Sequence, residues 1–223
     1  MVKDEIASRF GTPDEKLRVI YNAVDTVKFS PDLRGVHRST VRQSIGCPAD
    51  VPLLLFVGSG FERKGLAAFL SALATLPREC HGVVVGADKK LTAYRSFAEQ
   101  NGLSGRVHFT GGVNDVRPYY AAADTFVLPT LYDPFPNAVL EAMACGLPVV
   151  TSTKCGAAEF IENGKQGFVC DALDRAGIAQ AMQACLDGRP EMGAAARTAV
   201  LPYTPGRMAA EYVALYRALL AAK

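Results

Sequence analysis

Short apolar runs alternate with amphipathic stretches through most of the chain. The apolar runs predict strands at 53–57, 81–86, 106–110, 125–129, 148–153 and 167–169. Apolar residues at helical spacing predict helices at 64–76, 92–101, 114–123, 138–145, 156–162, 175–186, 193–200 and 205–223. Strands that are apolar throughout and separated by helices are typical of a parallel sheet covered on both faces. We therefore predict an α/β fold with a single Rossmann-like, doubly wound parallel sheet and a C-terminal helix.

The first 50 residues are less regular than the remainder. We predict a short helix at 4–10, a strand at 16–22, a turn at 25–31 and a weak helix within 35–50. The predicted division is a connector with the first elements (1–50), the Rossmann-like domain (51–200) and a C-terminal helix (201–223).

The stretch 129–150 is the most informative part of the pattern. Asp133 interrupts the strand before it, Pro136 suits a helix start, and Asn137 is a good cap. Glu141 falls about one turn inside the helix, and Gly146 ends it. A helix start attracts anions, so the stretch fits a sugar diphosphate. A capped amphipathic helix with a surface glutamate explains the same pattern, and the residues leave both interpretations open.

The composition argues against nucleic-acid binding and against a membrane-spanning segment. The chain has 223 residues, 49% hydrophobic and 21% charged, with a formal net charge of +2. So small a charge argues against a nucleic-acid partner. No apolar run approaches the ~20 residues of a membrane span, and the first residues do not resemble a signal peptide. Six cysteines without a C-x-x-C pair predict free thiols in a reducing cytoplasm.

Ligands in doubly wound sheets sit beyond the carboxyl ends of the strands, so the loops there carry the candidate chemistry. The loop 58–65 lacks G-x-G-x-x-G and Walker patterns, which argues against a dinucleotide site or a P-loop. Its adjacent Arg63 and Lys64 suit a phosphate, although a solvated basic pair is the alternative. Gly111 and Gly112 would let backbone approach a flat ligand, or form a plain turn.

Two other kinds of chemistry find little support. Cys155 follows a strand, but no histidine lies near it in sequence, and His81 and His108 fall on predicted strands as core or edge residues. The chain has no D-x-D, H-x-x-x-H or cysteine cluster, so we predict no metal site. A departing diphosphate would then be stabilised by cations and a helix dipole alone.

An ordered set of motifs between residues 19 and 174 carries a family resemblance. The motifs occupy 19–25, 56–58, 63–65, 107–111, 121–124 and 133–150, the last with the spacing Asp-x7-Glu. With them, the chain resembles the C-terminal, nucleotide-sugar-binding domain of a GT-B fold, family 4 retaining glycosyltransferase. It is similar to lipopolysaccharide core glucosyltransferases of the WaaG type.

The resemblance implies a role for each matching residue. Arg63 and Lys64 would hold the diphosphate, and Asp133 would bind a hydroxyl of the donor sugar. The remaining donor contacts are implied for Gly58, Val113, Phe135, Asn137, Ala138, Val139 and Glu141. Among these, Val113 would meet the base and Glu141 the ribose. The implied reaction moves a hexose from a nucleotide sugar of the UDP-glucose type to a lipopolysaccharide-core or other glycan, with no cofactor and no metal.

The chain departs from the family pattern in three respects. Asp133 is one methylene shorter than the usual Glu, and Pro136 lacks the N–H that a Gly would supply. The length admits one Rossmann-like domain where GT-B enzymes have two. We therefore expect a donor-binding half that binds the nucleotide sugar but lacks the acceptor domain. In the full-length protein, peripheral contact with the inner face of a bacterial inner membrane is also implied.

Two other functions fit the sequence. A stand-alone nucleotide-binding or regulatory α/β module without catalysis is the alternative to the donor-binding half. A flavodoxin-like receiver ranks below both, because no cluster of acids follows the first strand.

Overall fold

The chain folds around one six-stranded sheet, and the computed structural model describes residues 1–221. Every neighbouring pair of strands is parallel, in the order β3-β2-β1-β4-β5-β6. This is the Rossmann strand order, and it confirms the predicted fold class. The strands are β1 (Leu53–Val57), β2 (His81–Val85), β3 (Val107–Gly111), β4 (Thr125–Leu128), β5 (Val149–Ser152) and β6 (Gly167–Cys170).

The described residues form nine α-helices. They are α1 (Val2–Phe10), α2 (Leu33–Ser44), α3 (Leu66–Thr75), α4 (Leu91–Gln100), α5 (Arg117–Ala122), α6 (Asn137–Ala144), α7 (Arg175–Asp187), α8 (Arg189–Val200) and α9 (Pro205–Ala221). Helix α3 packs against α4 and α7, whereas α2 packs against α5 and α6 against α8. The prediction that the last helix continues through 222–223 lies outside the described residues.

The strand predicted at 16–22 is wrong. Asp14–Lys16 forms a 3₁₀ helix, and the following residues pair with no strand of the sheet in the described chain. The ring of Tyr21 packs on two aromatic rings instead: its centroid lies 5.5 Å from that of Phe135 and 5.3 Å from that of Phe160, whereas Val19 is exposed. The start of α8 was also predicted late, because Pro190 occupies its first turn, where proline is tolerated.

A buried carboxylate ties α2 to the sheet. Asp124, just before β4, accepts hydrogen bonds from Arg34 at 2.7 Å and Arg42 at 2.6 Å, and from the N–H of Leu53 at 3.0 Å. Arg189 at the start of α8 also pairs with it. Burial raises the pKa of Asp124, but the bonds from the arginines outweigh burial and hold that pKa below its usual value.

All six cysteines are free thiols. Five are buried, whereas Cys170 is half-buried. Burial raises the pKa of Cys145 and of Cys185 to about 12, and it raises that of Cys155 as well. Cys155 therefore stays a protonated structural thiol at neutral pH.

One glycine fixes the loop that follows β1. Gly65 has a φ of +76°, and an added Cβ would lie 1.9 Å from the carbonyl oxygen of Pro129. We expect Gly65→Ala to destabilise the fold clearly more than the ~1–2 kcal/mol of a left-handed alanine alone. Gly60→Ala is the matched control, since Gly60 has a φ of +72° but open space around it. Urea unfolding of both variants measures the two losses in free energy of unfolding. Equal losses would contradict the close approach of Gly65 to the carbonyl oxygen of Pro129.

Candidate functional site

The loops after β1 and β4 meet beyond the carboxyl ends of these strands. The carbonyl oxygen of Arg63 accepts hydrogen bonds from the N–H of Leu131 at 2.8 Å and the hydroxyl of Thr130 at 2.9 Å. The basic pair of the first loop is therefore attached directly to the segment that leads into α6.

Three predicted site residues lie in contact. Asp133 is 6% exposed, and its carboxylate pairs with Arg63 at 3.1 Å and with the ammonium group of Lys64. Arg63 also donates to the carbonyl oxygen of Tyr132 at 2.8 Å. The side chain of Lys64 is largely buried, whereas half of the Arg63 side chain is exposed. One buried carboxylate thus holds two cations at the mouth of the site.

Gly58 makes room for the lysine. An added Cβ at Gly58 would lie 3.4 Å from Cε of Lys64, so the lysine stem passes over this glycine on its way to Asp133. Asp88 fixes the same loop by accepting the N–H of Phe61 at 2.8 Å, and it accepts the N–H of Lys90 at 2.7 Å. Asp88 was not among the predicted site residues, although it follows β2 at the same end of the sheet.

The start of α6 differs in detail from the prediction. Pro136 is the N-cap and Asn137 is the first helical residue, so the prediction that Asn137 caps the helix is wrong. Its side-chain oxygen accepts a hydrogen bond from Asn22 at 2.9 Å instead. The N–H of Val139 donates to Pro136 O at 3.1 Å. In residues 1–221, the N–H groups of Asn137 and Ala138 have no acceptor, so two donors remain for an anion.

Glu141 is a half-buried carboxylate with a buried partner. The hydroxyl of Tyr120 donates to Glu141 at 2.8 Å and also contacts the carbonyl oxygen of Ala138 at 3.2 Å. Burial raises the pKa of Glu141, and the Tyr120 hydrogen bond partly offsets that rise. Tyr120 was not among the predicted site residues, because nothing in its local pattern separates it from other apolar positions of α5.

Tyr120→Phe should lower the free energy of unfolding by about 1.5–3 kcal/mol at pH 7, because a charged acceptor loses its donor. The raised pKa of Glu141 means that ionisation of this group opposes folding increasingly as the pH rises from the pKa of an unfolded glutamate to the folded pKa, and the variant strengthens this opposition. The loss should therefore shrink towards about pH 4, where the group is protonated. Tyr119→Phe, whose hydroxyl bonds to nothing in the described residues, is the control for urea unfolding at both pH values. A pH-independent difference would contradict the link to Glu141.

Two predicted residues lie apart from this cluster. The ring of Phe135 packs against Tyr21 and Phe160, at centroid distances of 5.5 Å and 5.6 Å, and so faces the N-terminal segment. Val113 lies in the loop after β3, half-buried against the core.

Metal-ligating side chains are not grouped in residues 1–221, where no three His, Cys, Asp or Glu side chains lie close enough to hold an ion. Among the helices of that same part of the chain, none has the length and apolarity needed to cross a bilayer.

The amino-acid sequence of this chain is similar to those of known glycosyltransferases. The family model for glycosyl transferases group 1 matches residues 51–188. The lipopolysaccharide core biosynthesis glycosyltransferase LpsE of Rhizobium meliloti is 35% identical over 145 residues, covering 64% of this chain and 42% of LpsE. The lipopolysaccharide glucosyltransferase WaaG of Escherichia coli is 40% identical over 136 residues, covering 59% of this chain and 36% of WaaG. The matched segments thus span less than half the length of these relatives.

The solved structures extend the likeness to the fold. The crystal structure of WaaG, a glycosyltransferase of lipopolysaccharide biosynthesis, superposes with a TM-score of 0.76 at 30% identity. The match covers 88% of this chain and 54% of that one. The predicted resemblance to the C-terminal domain of a GT-B glycosyltransferase is confirmed. The chain belongs to the glycosyl transferases group 1 family.

Proposed function

We propose that this chain is the donor-binding half of a retaining glycosyltransferase. It binds a nucleotide sugar of the UDP-glucose type, from which the complete protein transfers the hexose to a lipopolysaccharide-core or other glycan. The observation that carries the proposal is the contact of Arg63, Lys64 and Asp133 beside the open start of α6, at the carboxyl ends of β1 and β4. The relatives LpsE and WaaG are lipopolysaccharide glycosyltransferases, which supports the choice of acceptor. The proposed setting is the cytoplasm, with peripheral contact to the membrane that holds the acceptor.

The chemistry of the step is the departure of a nucleoside diphosphate. The bond between the sugar C1 and the β-phosphate oxygen breaks while C1 bonds to an acceptor hydroxyl oxygen, whose proton passes to the departing diphosphate; negative charge develops on the β-phosphate oxygen as the bond breaks. Arg63 offers a planar pair of donors and Lys64 a point charge, while Asn137 and Ala138 offer N–H groups at a positive helix end. These groups stabilise the charge where it forms, and the proposal requires no divalent ion.

The other predicted residues position the nucleotide. Glu141 accepts hydrogen bonds from the ribose hydroxyls, with Tyr120 holding the carboxylate in place. Val113 meets the base through its backbone, and Gly58 leaves space for the ligand. Phe135 contributes through its backbone, because its ring is occupied by Tyr21 and Phe160.

Asp133 changes partners when the donor binds. Without donor, its carboxylate pairs with Arg63 and Lys64, the same cations that the diphosphate needs. The phosphates take over these cations, and the freed carboxylate turns to a hydroxyl of the sugar. The shorter reach of Asp relative to Glu makes this contact the most sensitive part of the site.

Asp133→Asn should bind UDP about tenfold more tightly, equivalent to about 1.4 kcal/mol, because the competing carboxylate charge is gone. The gain for UDP-glucose should be smaller, since the amide is a weaker acceptor for the sugar hydroxyl. Calorimetry with both ligands measures the ratio. Glu62→Gln is the control, since Glu62 is an exposed acid of the same loop that pairs with Lys90. Equal gains for both ligands would contradict the sugar contact of Asp133.

The proposed function is tested by titrating the chain with UDP, UDP-glucose, GDP and ADP without divalent metal. Binding of uridine ligands alone is the expected result. Preference for GDP or ADP would overturn the proposed donor, and failure to bind any nucleotide would overturn the donor-binding role. The complete protein, assayed for glucosyl transfer to lipopolysaccharide core with the anomeric configuration read by NMR, tests acceptor and retention.

A further inference from the structure

A second cationic site lies at the amino-terminal ends of the strands, opposite to the ends that carry the donor site. Four guanidinium groups surround the single carboxylate of Asp124, which directly precedes β4. Within residues 1–221, every ion pair of these arginines goes to that one carboxylate. They are Arg34, Arg38, Arg42 and Arg189. Three positive charges are therefore left without a negative counterpart.

The four arginines are not equivalent. Arg42 is buried, and its hydrogen-bond donors are already used, since it also donates to the carbonyl oxygens of Pro48 and Val51, each at 2.8 Å. Arg34 and Arg189 keep 37% and 41% of their side chains exposed. Arg189 donates to no group but Asp124 in the described residues. These two exposed guanidinium groups retain N–H donors for a further partner.

Arg34 and Arg189 stand on the walls of one cleft of about 250 Å³. We call it the Arg34/Arg189 cleft; Ser30, Tyr120, Gly146 and Pro190 also line it. Helix α8 begins there at Arg189 and has no side-chain cap, so its partial positive charge adds to that of the arginines. Three acids flank the lining residues in sequence without lining the cleft themselves: Asp32, which accepts from the hydroxyl of Ser30 at 3.1 Å, Asp187 and Glu191.

We infer that the Arg34/Arg189 cleft binds the phosphate group of a compact anion. Two guanidinium groups and a helix start match the oxygens of a phosphate, which accept several charge-assisted hydrogen bonds at once. The volume is below the ~300–1,000 Å³ of sites for drug-sized ligands, so a phosphoryl or diphosphoryl group fits better than a nucleotide. The basic pair of the donor site lies at the opposite ends of the strands, whereas Tyr120 both lines the cleft and donates to Glu141.

The first experiment is a site-resolved titration of the ¹⁵N-labelled chain with inorganic pyrophosphate, followed by NMR. The amides of Gly146 and Arg189 report the cleft, whereas those of Gly60 and Lys64 report the donor site. We expect saturable shifts at the cleft amides in the wild type. The two reporter sets keep the cleft distinguishable from the donor site, because either can respond without the other.

Arg189→Gln should weaken pyrophosphate binding at the cleft about tenfold, equivalent to about 1.4 kcal/mol. Arg38→Gln is the matched control. It also removes one positive charge that pairs with Asp124, but Arg38 does not line the cleft. Its effect should stay below about threefold, because only a screened, more distant charge is lost. Both variants keep Arg42 on Asp124, and the remainder of the NMR spectrum reports that they are folded.

A second arm separates free phosphates from lipid headgroups. Co-sedimentation with vesicles of phosphatidylglycerol and phosphatidylcholine tests the lipid source, with phosphatidylcholine vesicles as the blank. Arg189-dependent binding to the anionic vesicles without pyrophosphate shifts would assign the phosphate to a lipid headgroup. Absence of both responses, or equal losses in Arg189→Gln and Arg38→Gln, would overturn the site.

Discussion

Asp124→Asn should lower the free energy of unfolding by about 3–5 kcal/mol, the usual cost of breaking a buried ion pair from one side. The amide cannot compensate Arg42, whose side chain is 2% exposed. It also replaces the acceptor of the N–H of Leu53, the first residue of β1, by a weaker one. The mutation therefore affects the junction between α2 and the centre of the sheet.

Urea unfolding monitored by circular dichroism measures this loss. Asp115→Asn is the control, because Asp115 forms an exposed pair with Arg117 and should cost less than about 1 kcal/mol. The lowered pKa of Asp124 means that its contribution is complete above the pKa of an unfolded aspartate and disappears as the pH falls through the folded pKa. Wild type and variant should thus converge at acid pH, and a difference that persists there would contradict the ionic origin.

The double variant Arg63→Ala/Lys64→Ala should lower the affinity for UDP by about 10²–10⁴-fold. Each cation contributes a charge-assisted contact of about 1.5–3 kcal/mol to the diphosphate, and the two act on the same group. Calorimetry on the isolated chain measures the effect. Under the regulatory alternative, the same variant would lose nucleotide but keep its partner protein.

Two controls separate lost binding from lost folding. Lys90→Ala removes an exposed lysine that pairs with Glu62 in the neighbouring loop, and it should leave UDP affinity within about twofold. Adding Asp133→Asn to the double variant removes the buried carboxylate that the lost cations leave behind. This triple variant should recover stability but not binding. If it recovered binding as well, the cations would not be the phosphate ligands.

The sheet was predictable because its strands are apolar along their whole length and are separated by helices. The predicted strand ends put Arg63, Lys64 and Asp133 in loops at the carboxyl ends of neighbouring strands. The three side chains are in contact in the structure. The parallel arrangement alone brings such loops together, so neighbouring strand ends are the strongest positional signal that a single sequence offers.

What escaped prediction depends on partners distant in sequence. Tyr120 holds Glu141 across the interface of α5 with α6, and four arginines converge on Asp124 from α2 and α8. The apolar run at 16–22 has the composition of a strand, but its Tyr21 ring packs on Phe135 and Phe160. Local pattern does not distinguish a strand from an extended segment that covers an aromatic cluster.

The rate at which the buried cysteines are alkylated measures how often the fold opens. Alkylating reagents attack the thiolate, and Cys145 and Cys185 are both buried and held protonated, with pKa values raised to about 12. Their modification must therefore wait until the surrounding structure opens. Half-buried Cys170 at the sheet edge responds to smaller fluctuations. Mass spectrometry of alkylated peptides would therefore measure two rates in the same sample. Alkylation of Cys170 reports local opening at the edge strand, and alkylation of Cys145 and Cys185 reports unfolding of the whole domain.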